Sequence, residues 1–195
     1  MMIARTGILF VVSGPSGVGK GTIKDNLLPR LSNITLSISA TTRAPRQGEV
    51  AGQDYFFLSM EEFSSMLDRE EFLEHAQVYT NMYGTPEKYV LENLRCGIDV
   101  LLEIDIQGAM QIKSKMPQGV FIFIEPPSLD ELANRICQRG KDSEESIARR
   151  LAACEAEMEH LSYYDYSVVN DELEEAVKKV EAIIIAERCR IKNNS

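Results

Sequence analysis

The chain reads as an α/β fold with a mainly parallel sheet, and three observations carry this. Apolar runs at residues 8–12, 100–106 and 119–124 are nearly continuous, as in strands buried on both faces. Amphipathic helical stretches separate them, so strands and helices alternate along the chain. The first run passes straight into Gly14-Pro15-Ser16-Gly17-Val18-Gly19-Lys20-Gly21-Thr22 and then into a helical stretch from Ile23 to Leu28. Strand, glycine-rich turn, lysine and helix in that order is the context of a phosphate-binding P-loop. Glycines let the backbone bend with its N–H groups inward, and the helix N-terminus adds positive potential. Lys20 is expected to face solvent until a phosphate arrives. Gly21 stands where the general pattern has a Mg²⁺-ligating hydroxyl, and Thr22 comes one place later. Any Mg²⁺ is therefore expected to be held by phosphates and waters.

The 195 residues suffice for one domain with a sizeable core and inserted subdomains. Apolar residues make up 44% and charged residues 26%, which is ordinary for a soluble globular chain. No apolar run approaches a membrane span, and the N-terminus has no signal-peptide pattern. Cys96, Cys137, Cys154 and Cys189 form no C-x-x-C pair, so reduced thiols in the cytoplasm are expected. The net charge of −9 argues against non-specific nucleic-acid binding. An anionic ligand must instead be held by local basic clusters.

Residues 34–40 alternate as a strand does and run into Thr41-Thr42-Arg43-Ala44-Pro45-Arg46-Gln47-Gly48-Glu49. Pro45 and Gly48 mark a loop, on which the two arginine forks are free to converge on one anion. Ser59-Met60-Glu61-Glu62 is a capping box opening a helix with Phe63, Met66 and Leu67 inward. Thr85-Pro86-Glu87 reads as an N-cap, a proline at N1 and an acidic first turn, and Gly97 closes that helix. The strand at 100–106 carries Glu103 and Asp105 at its C-terminal end, where open α/β sheets bind ligands. A short helix spans 108–116 and a third buried strand 119–124. Ser128 to Glu131 form a second capping box, and the helix it opens carries Arg135 and Arg139 one turn apart. Ser143 caps a further helix bearing Arg149 and Arg150. A short strand near Val168 precedes Asn170, and Leu173, Val177, Val180 and Ile184 form a final helical stripe.

Five motifs in register resemble guanylate kinases over roughly the whole chain. They are the P-loop; Ser39-x-Thr41-Thr42-Arg43-x-Pro45-Arg46-x-Gly48-Glu49; Gly52-x-Asp54-Tyr55; Phe72-x-Glu74; and Tyr83-Gly84-Thr85. The resemblance implies a P-loop three-layer fold with a parallel core sheet, a GMP-binding insert and a short helical lid. It implies a single domain over 5–188, with core segments 5–36, 91–130 and 161–188. The insert would be 37–90 and the lid 131–160, with 189–195 as a tail. It implies transfer of the γ-phosphate of ATP to GMP, with Mg²⁺, giving ADP and GDP in purine nucleotide metabolism.

The resemblance also implies residue roles. Gly14, Ser16, Gly17, Val18, Gly19, Lys20, Gly21 and Thr22 would bind ATP, with Asn170 on the adenine side. Arg43, Arg46, Tyr55 and Tyr83 would grip the GMP phosphate. Ser39, Glu74 and Thr85 would read guanine, and Asp105 would lie near GMP and the metal. Arg135, Arg139 and Arg150 fall on the lid's arginine positions and, with Lys20, would neutralise the transferring phosphoryl group. Glu103 stands where the family commonly has Asp, and its role stays open beside that of a structural carboxylate. His75 reads as packing beside the pocket. The chemistry of the residues agrees with guanine: its N1–H and N2–H₂ donors suit one carboxylate, and adenine has no such pair. ATP and GMP are the implied partners; dGMP, and a monomer or a homodimer, stay open.

Overall fold

The computed structural model describes residues 5–78, 80–133 and 157–191. Among these, nine strands fall into two sheets. The larger is five-stranded and wholly parallel, in the order β2 (Ile34–Leu36), β7 (Asp99–Glu103), β1 (Leu9–Ser13), β8 (Val120–Glu125), β9 (Tyr166–Val169). All five residues of β1 are buried, as the near-continuous apolar run requires of a central strand.

Alternate side chains of this sheet enter two cores, which makes three layers. Phe10, Val12, Leu101, Ile122 and Ile124 pack with Ile23 and Leu27 of α1 (Lys20–Leu27) and with Val177, Val180 and Ile184 of the C-terminal helix. Leu9, Val11, Val100, Leu102 and Phe121 pack on the other face against α3 (Glu87–Arg95) and α4 (Ile106–Lys115). The C-terminal helix, α5 here, spans Leu173–Cys189.

The second sheet has four strands in the order β4 (Phe56–Phe57), β3 (Ala40–Thr41), β6 (Asn81–Pro86), β5 (Phe72–Val78). It is mixed, with β3 parallel to β4 and antiparallel to β6. Helix α2 (Met60–Asp68) covers it, with Phe63 stacked on Phe72 at 4.5 Å between ring centroids. The capping box at Ser59 and Glu62 is complete.

Three boundaries differ from those read in the sequence. The single strand expected at 34–40 is two strands in two sheets. Ser37 N still bonds to Leu101 O at 2.9 Å; then the chain crosses, and Ala40 pairs with Gly84 and Phe56. The apolar positions of the alternating run serve two cores: Ile34 and Leu36 pack against the core of the parallel sheet, and Ala40 enters that of the second sheet. The strand expected at 100–106 ends at Glu103, since Asp105 is the N-cap of α4, its Oδ1 accepting from Gly108 N at 2.8 Å. Thr85 does not cap α3. It lies in β6, Pro86 is the N-cap, and the Thr85 hydroxyl is committed elsewhere.

At the end of the parallel sheet away from the P-loop, the fully buried carboxylate of Asp99 gathers three elements. It accepts from Arg5 Nη2 at 2.7 and 2.8 Å, from Arg188 Nε at 2.7 Å and from Ile8 N at 2.8 Å. Removing one partner of a buried ion pair leaves the rest uncompensated. Arg5 can relax into water, so Asp99→Ala should cost about 3 kcal/mol, toward the lower end for such a loss. The midpoint of urea unfolding checks this, and KM values should hold because the pair is remote from the cleft.

Candidate active site

The P-loop is built by backbone constraints that only glycine meets. Gly14, Gly17 and Gly19 have φ of 144°, 90° and 100°. A Cβ on Gly14 would lie 2.3 Å from the carbonyl oxygen of Ile124 on β8. Val18, fully buried, anchors the turn in the core. Asn170 braces it from the end of β9: its Nδ2 donates to Val18 O at 2.8 Å, and a Cβ on Gly19 would meet the same nitrogen at 2.6 Å. The sequence resemblance puts Asn170 beside adenine; its amide is also part of the turn's support.

Lys20 does not face solvent freely. Its Nζ donates to Gly14 O at 2.5 Å and to Pro15 O at 3.1 Å. Burial pushes its pKa below the ordinary lysine value, against the opposing fields of Glu103, Glu157 and Asp105. The turn opens on a cleft of about 750 Å³ whose far walls include Asp25, Glu103, Asp105 and Glu157. Glu103 is now assigned a partner: its carboxylate lies 3.3 Å from Lys24 Nζ, and its Oε1 would lie 3.4 Å from a Cβ on Gly21.

A second pocket of about 240 Å³ adjoins it, sharing Glu103 and Ile104 and reaching Lys24, Ser39 and Tyr55. Next to it, Arg43 forms a fork with Glu49, Nη2 to Oε1 at 2.8 Å and Nη1 to Oε2 at 3.1 Å, and its guanidinium lies 5.5 Å from the centre of the Tyr55 ring. Tyr55 and Tyr83 meet edge to face at 6.1 Å. Arg46 N donates to Glu49 Oε2 at 2.7 Å, while the Arg46 side chain is exposed. Glu49 thus holds the loop together by accepting from both arginines. The bond from Arg43 keeps its carboxyl below the usual carboxylate range.

Glu74 is reached through an irregularity in β5. Phe72 pairs with Pro86 and Glu74 with Thr85, so Leu73 is a bulged extra residue. Three consecutive side chains are then buried in different places. Phe72 enters the core of the second sheet and Leu73 the core under α4. Glu74 points to Thr85, whose hydroxyl donates to its Oε1 at 2.6 Å. Only 7% exposed, Glu74 has its pKa raised by burial and by Asp105, with the Thr85 hydroxyl opposing.

The structure therefore brings P-loop residues and Asp105 to one cleft, with Asn170 buried behind the turn, and Ser39, Arg43, Tyr55, Tyr83, Glu74 and Thr85 to the adjoining second sheet. Arg135, Arg139 and Arg150 lie outside the described residues. His75 is exposed, so it does not pack beside the pocket as expected. Sequence reasoning missed Glu157, which has no motif around it, and the anchoring role of Glu49. It also missed Gln111, whose amide bonds to the backbone of His75. For Glu49 the signal was present, since it ends the Arg43–Arg46 motif.

A parallel sheet whose central strand feeds a lysine-bearing P-loop, facing a second sheet that carries an arginine-tyrosine cluster, defines a P-loop phosphotransferase. The guanylate kinase family model matches residues 6–187. A guanylate kinase of Syntrophomonas wolfei is 62% identical over 189 residues, covering 97% of each chain. One of Caldanaerobacter subterraneus is 55% identical, covering 100% of this chain and 94% of its own. The crystal structure of guanylate kinase from Anaplasma phagocytophilum superposes with a TM-score of 0.75 at 37% identity, covering 97% of this chain and 90% of that one. The chain belongs to the guanylate kinase family.

The bracing of the P-loop is testable by stability alone. Asn170→Ala strands the Val18 carbonyl, so it should cost about 1–3 kcal/mol, the penalty for a buried polar group left without its partner. Thermal unfolding followed by circular dichroism would read it.

Proposed function

We propose that this chain phosphorylates GMP, taking the γ-phosphate of ATP and releasing ADP and GDP, with the P-loop as ATP site and the second sheet as GMP site. The observation that carries the reading is the buried Glu74 carboxylate beside Thr85, on the sheet that also holds Arg43, Tyr55 and Tyr83. Glu74 as guanine reader, with Ser39 and Thr85, follows from donor and acceptor chemistry. One carboxylate accepts from both N1–H and N2–H₂, and a base without that pair would leave it buried and unmatched.

The GMP phosphate would be gripped by Arg43, Arg46, Tyr55 and Tyr83. Arg43 and the Arg46 backbone now share Glu49, so an incoming phosphate meets a loop already shaped around an anion. That phosphate needs no general base, because its second ionisation lies near ~6 and the attacking oxygen is charged at neutral pH. Lys20 would leave the carbonyls of Gly14 and Pro15 for the β- and γ-phosphates. Positioning and charge stabilisation do most of the work in such transfers. Arg135, Arg139 and Arg150 would complete the neutralisation.

Mg²⁺ fits this donor set as a passenger of ATP. Among the described residues no group of three or more His, Cys, Asp or Glu side chains could hold a metal. Gly21 offers no hydroxyl, and the space a side chain would fill there faces Glu103. Glu103 and Asp105 would then accept from the ion's waters. When bound, the ion supplies positive charge at the phosphates. The division into core (5–36, 91–130 and 161–188), insert (37–90) and lid (131–160) belongs to the same proposal, supported by residues 40–86 building a sheet of their own. A cytoplasmic site of action is supported by the exposed free thiols of Cys96 and Cys189.

Two measurements test the reading. Lys20→Met should abolish turnover while the melting curve stays within a few degrees. In the wild type, kcat/KM for ATP should fall on the alkaline side below the ordinary lysine value of 10.5, because burial makes Lys20 give up its proton early. Retained turnover in Lys20→Met would remove the lysine from the mechanism.

Glu74→Gln replaces an acceptor with a donor facing guanine's N–H edge. It should lower kcat/KM for GMP by roughly 2–4 kcal/mol, the scale of a polar site left mismatched, with KM for ATP unchanged. Inosine monophosphate lacks the 2-amino group and should be a poor substrate for the wild type. A GMP/IMP ratio of kcat/KM that survives in Glu74→Gln would show that another residue reads the base.

A further inference from the structure

Strand β5 ends the second sheet, so among the described residues one of its edges has no strand neighbour. Helix α4 of the parallel-sheet layer lies along that edge. Gln111 Oε1 accepts from His75 N and Gln111 Nε2 donates to His75 O, both at 3.1 Å. Lys115 Nζ donates to Phe72 O at 2.5 Å. Toward the N-terminus of α4, a Cβ on Gly108 would lie 3.0 Å from Glu74 Oε2. Positions 108, 111 and 115 share one face of a helix, since residues three, four and seven apart align. A single stripe of α4 thus follows Glu74, His75 and Phe72.

The primary amide of a glutamine has one acceptor and a donor, as a peptide unit has. Gln111 therefore occupies the place of a missing strand for one residue, and that residue is next to Glu74. The seam lies at the bulge, where β5 carries one residue more than β6 needs. A bulge re-aims a side chain and locally disrupts the ladder, so contacts from neighbouring elements can help to hold the strand there. Gln111 fixes it on one side and Thr85 on the other. Gly108, having no side chain, leaves room for the second carboxylate oxygen.

We propose that Gln111 is a positioning residue for base selectivity: by clamping the His75 peptide next to Glu74, it sets where the Glu74 carboxylate, lying over the bare Cα of Gly108, meets the purine. Gln111 touches no substrate in this account. The proposal rests on Glu74 being the guanine reader, and the test separates the two.

The test is the GMP/IMP ratio of kcat/KM in wild type, Glu74→Gln, Gln111→Met, Gly108→Ala and the Gln111→Met/Glu74→Gln double variant. Gln111→Met keeps length and loses both hydrogen bonds. It should lower the ratio at least roughly fivefold, the scale of coupling between neighbouring groups, with KM for ATP unchanged. Gly108→Ala should lower it too, by displacing the carboxylate. The double variant should lose little beyond Glu74→Gln alone, because both act through one group. A Gln111→Met ratio within twofold of wild type, beside a reduced ratio in Glu74→Gln, overturns the positioning role and spares the reader. An unchanged ratio in Glu74→Gln overturns the reader, and this proposal with it. A Gln111→Met chain that does not fold, or that loses GMP, IMP and ATP use equally, makes the seam structural and also overturns it.

Discussion

The site depends first on the fit between the P-loop and the strand beside it. Gly14 approaches the Ile124 carbonyl so closely that no side chain is tolerated, and Val18 drops into the core four residues later. Between them the backbone has one course. That course sets the start of α1 and hence the position of Lys20. It also sets the distance to Glu103 on β7, which pairs with β1 residue for residue. Asn170, from the far side of the sheet, closes the arrangement through the Val18 carbonyl. The phosphate-binding geometry is thus a property of four neighbouring strands, β7, β1, β8 and β9, and not of the glycine-rich segment alone.

The electrostatics run against simple expectation. A chain of net charge −9 recognises two anions, and the cleft at the P-loop is lined by Asp25, Glu103, Asp105 and Glu157 as well as Lys20. The positive groups are few and placed. Lys20 rests on carbonyl oxygens, Arg43 on Glu49 and Lys24 on Glu103. Each cation is already held on a placed oxygen acceptor. An anion that takes the place of such an acceptor meets a side chain that is already ordered.

Much of this was legible in the sequence for physical reasons. Uninterrupted apolar runs belong to strands covered on both faces, and β1, β7 and β8 follow them within a few residues. The P-loop was legible because its glycines are forced. Local patterns failed where tertiary partners decided. Thr85 before Pro86 has the pattern of a cap, yet Glu74 takes its hydroxyl. Residues 34–40 alternate without a break, yet the chain changes sheets at Ser37–Ser39. The bulge at Leu73 has no local signature, because three successive apolar or acidic side chains look alike until their separate destinations are known. Gln111 carries no local signal of its role, because its partner is 36 positions away.

The seam between α4 and β5 has one more consequence, which concerns the life of the chain before it meets any nucleotide. A four-stranded sheet standing outside the main core has two edges, and an open edge invites pairing with another molecule. Here the two edges are closed in different ways. On one side β4 is only two residues long, too short to template a partner strand. On the other, Gln111 and Lys115 already satisfy the outward polar groups of His75 and Phe72. The same side chains that border the Glu74 carboxylate thereby cover an edge that would otherwise invite pairing, so substitutions along this helix face should be filtered by solubility as well as by turnover.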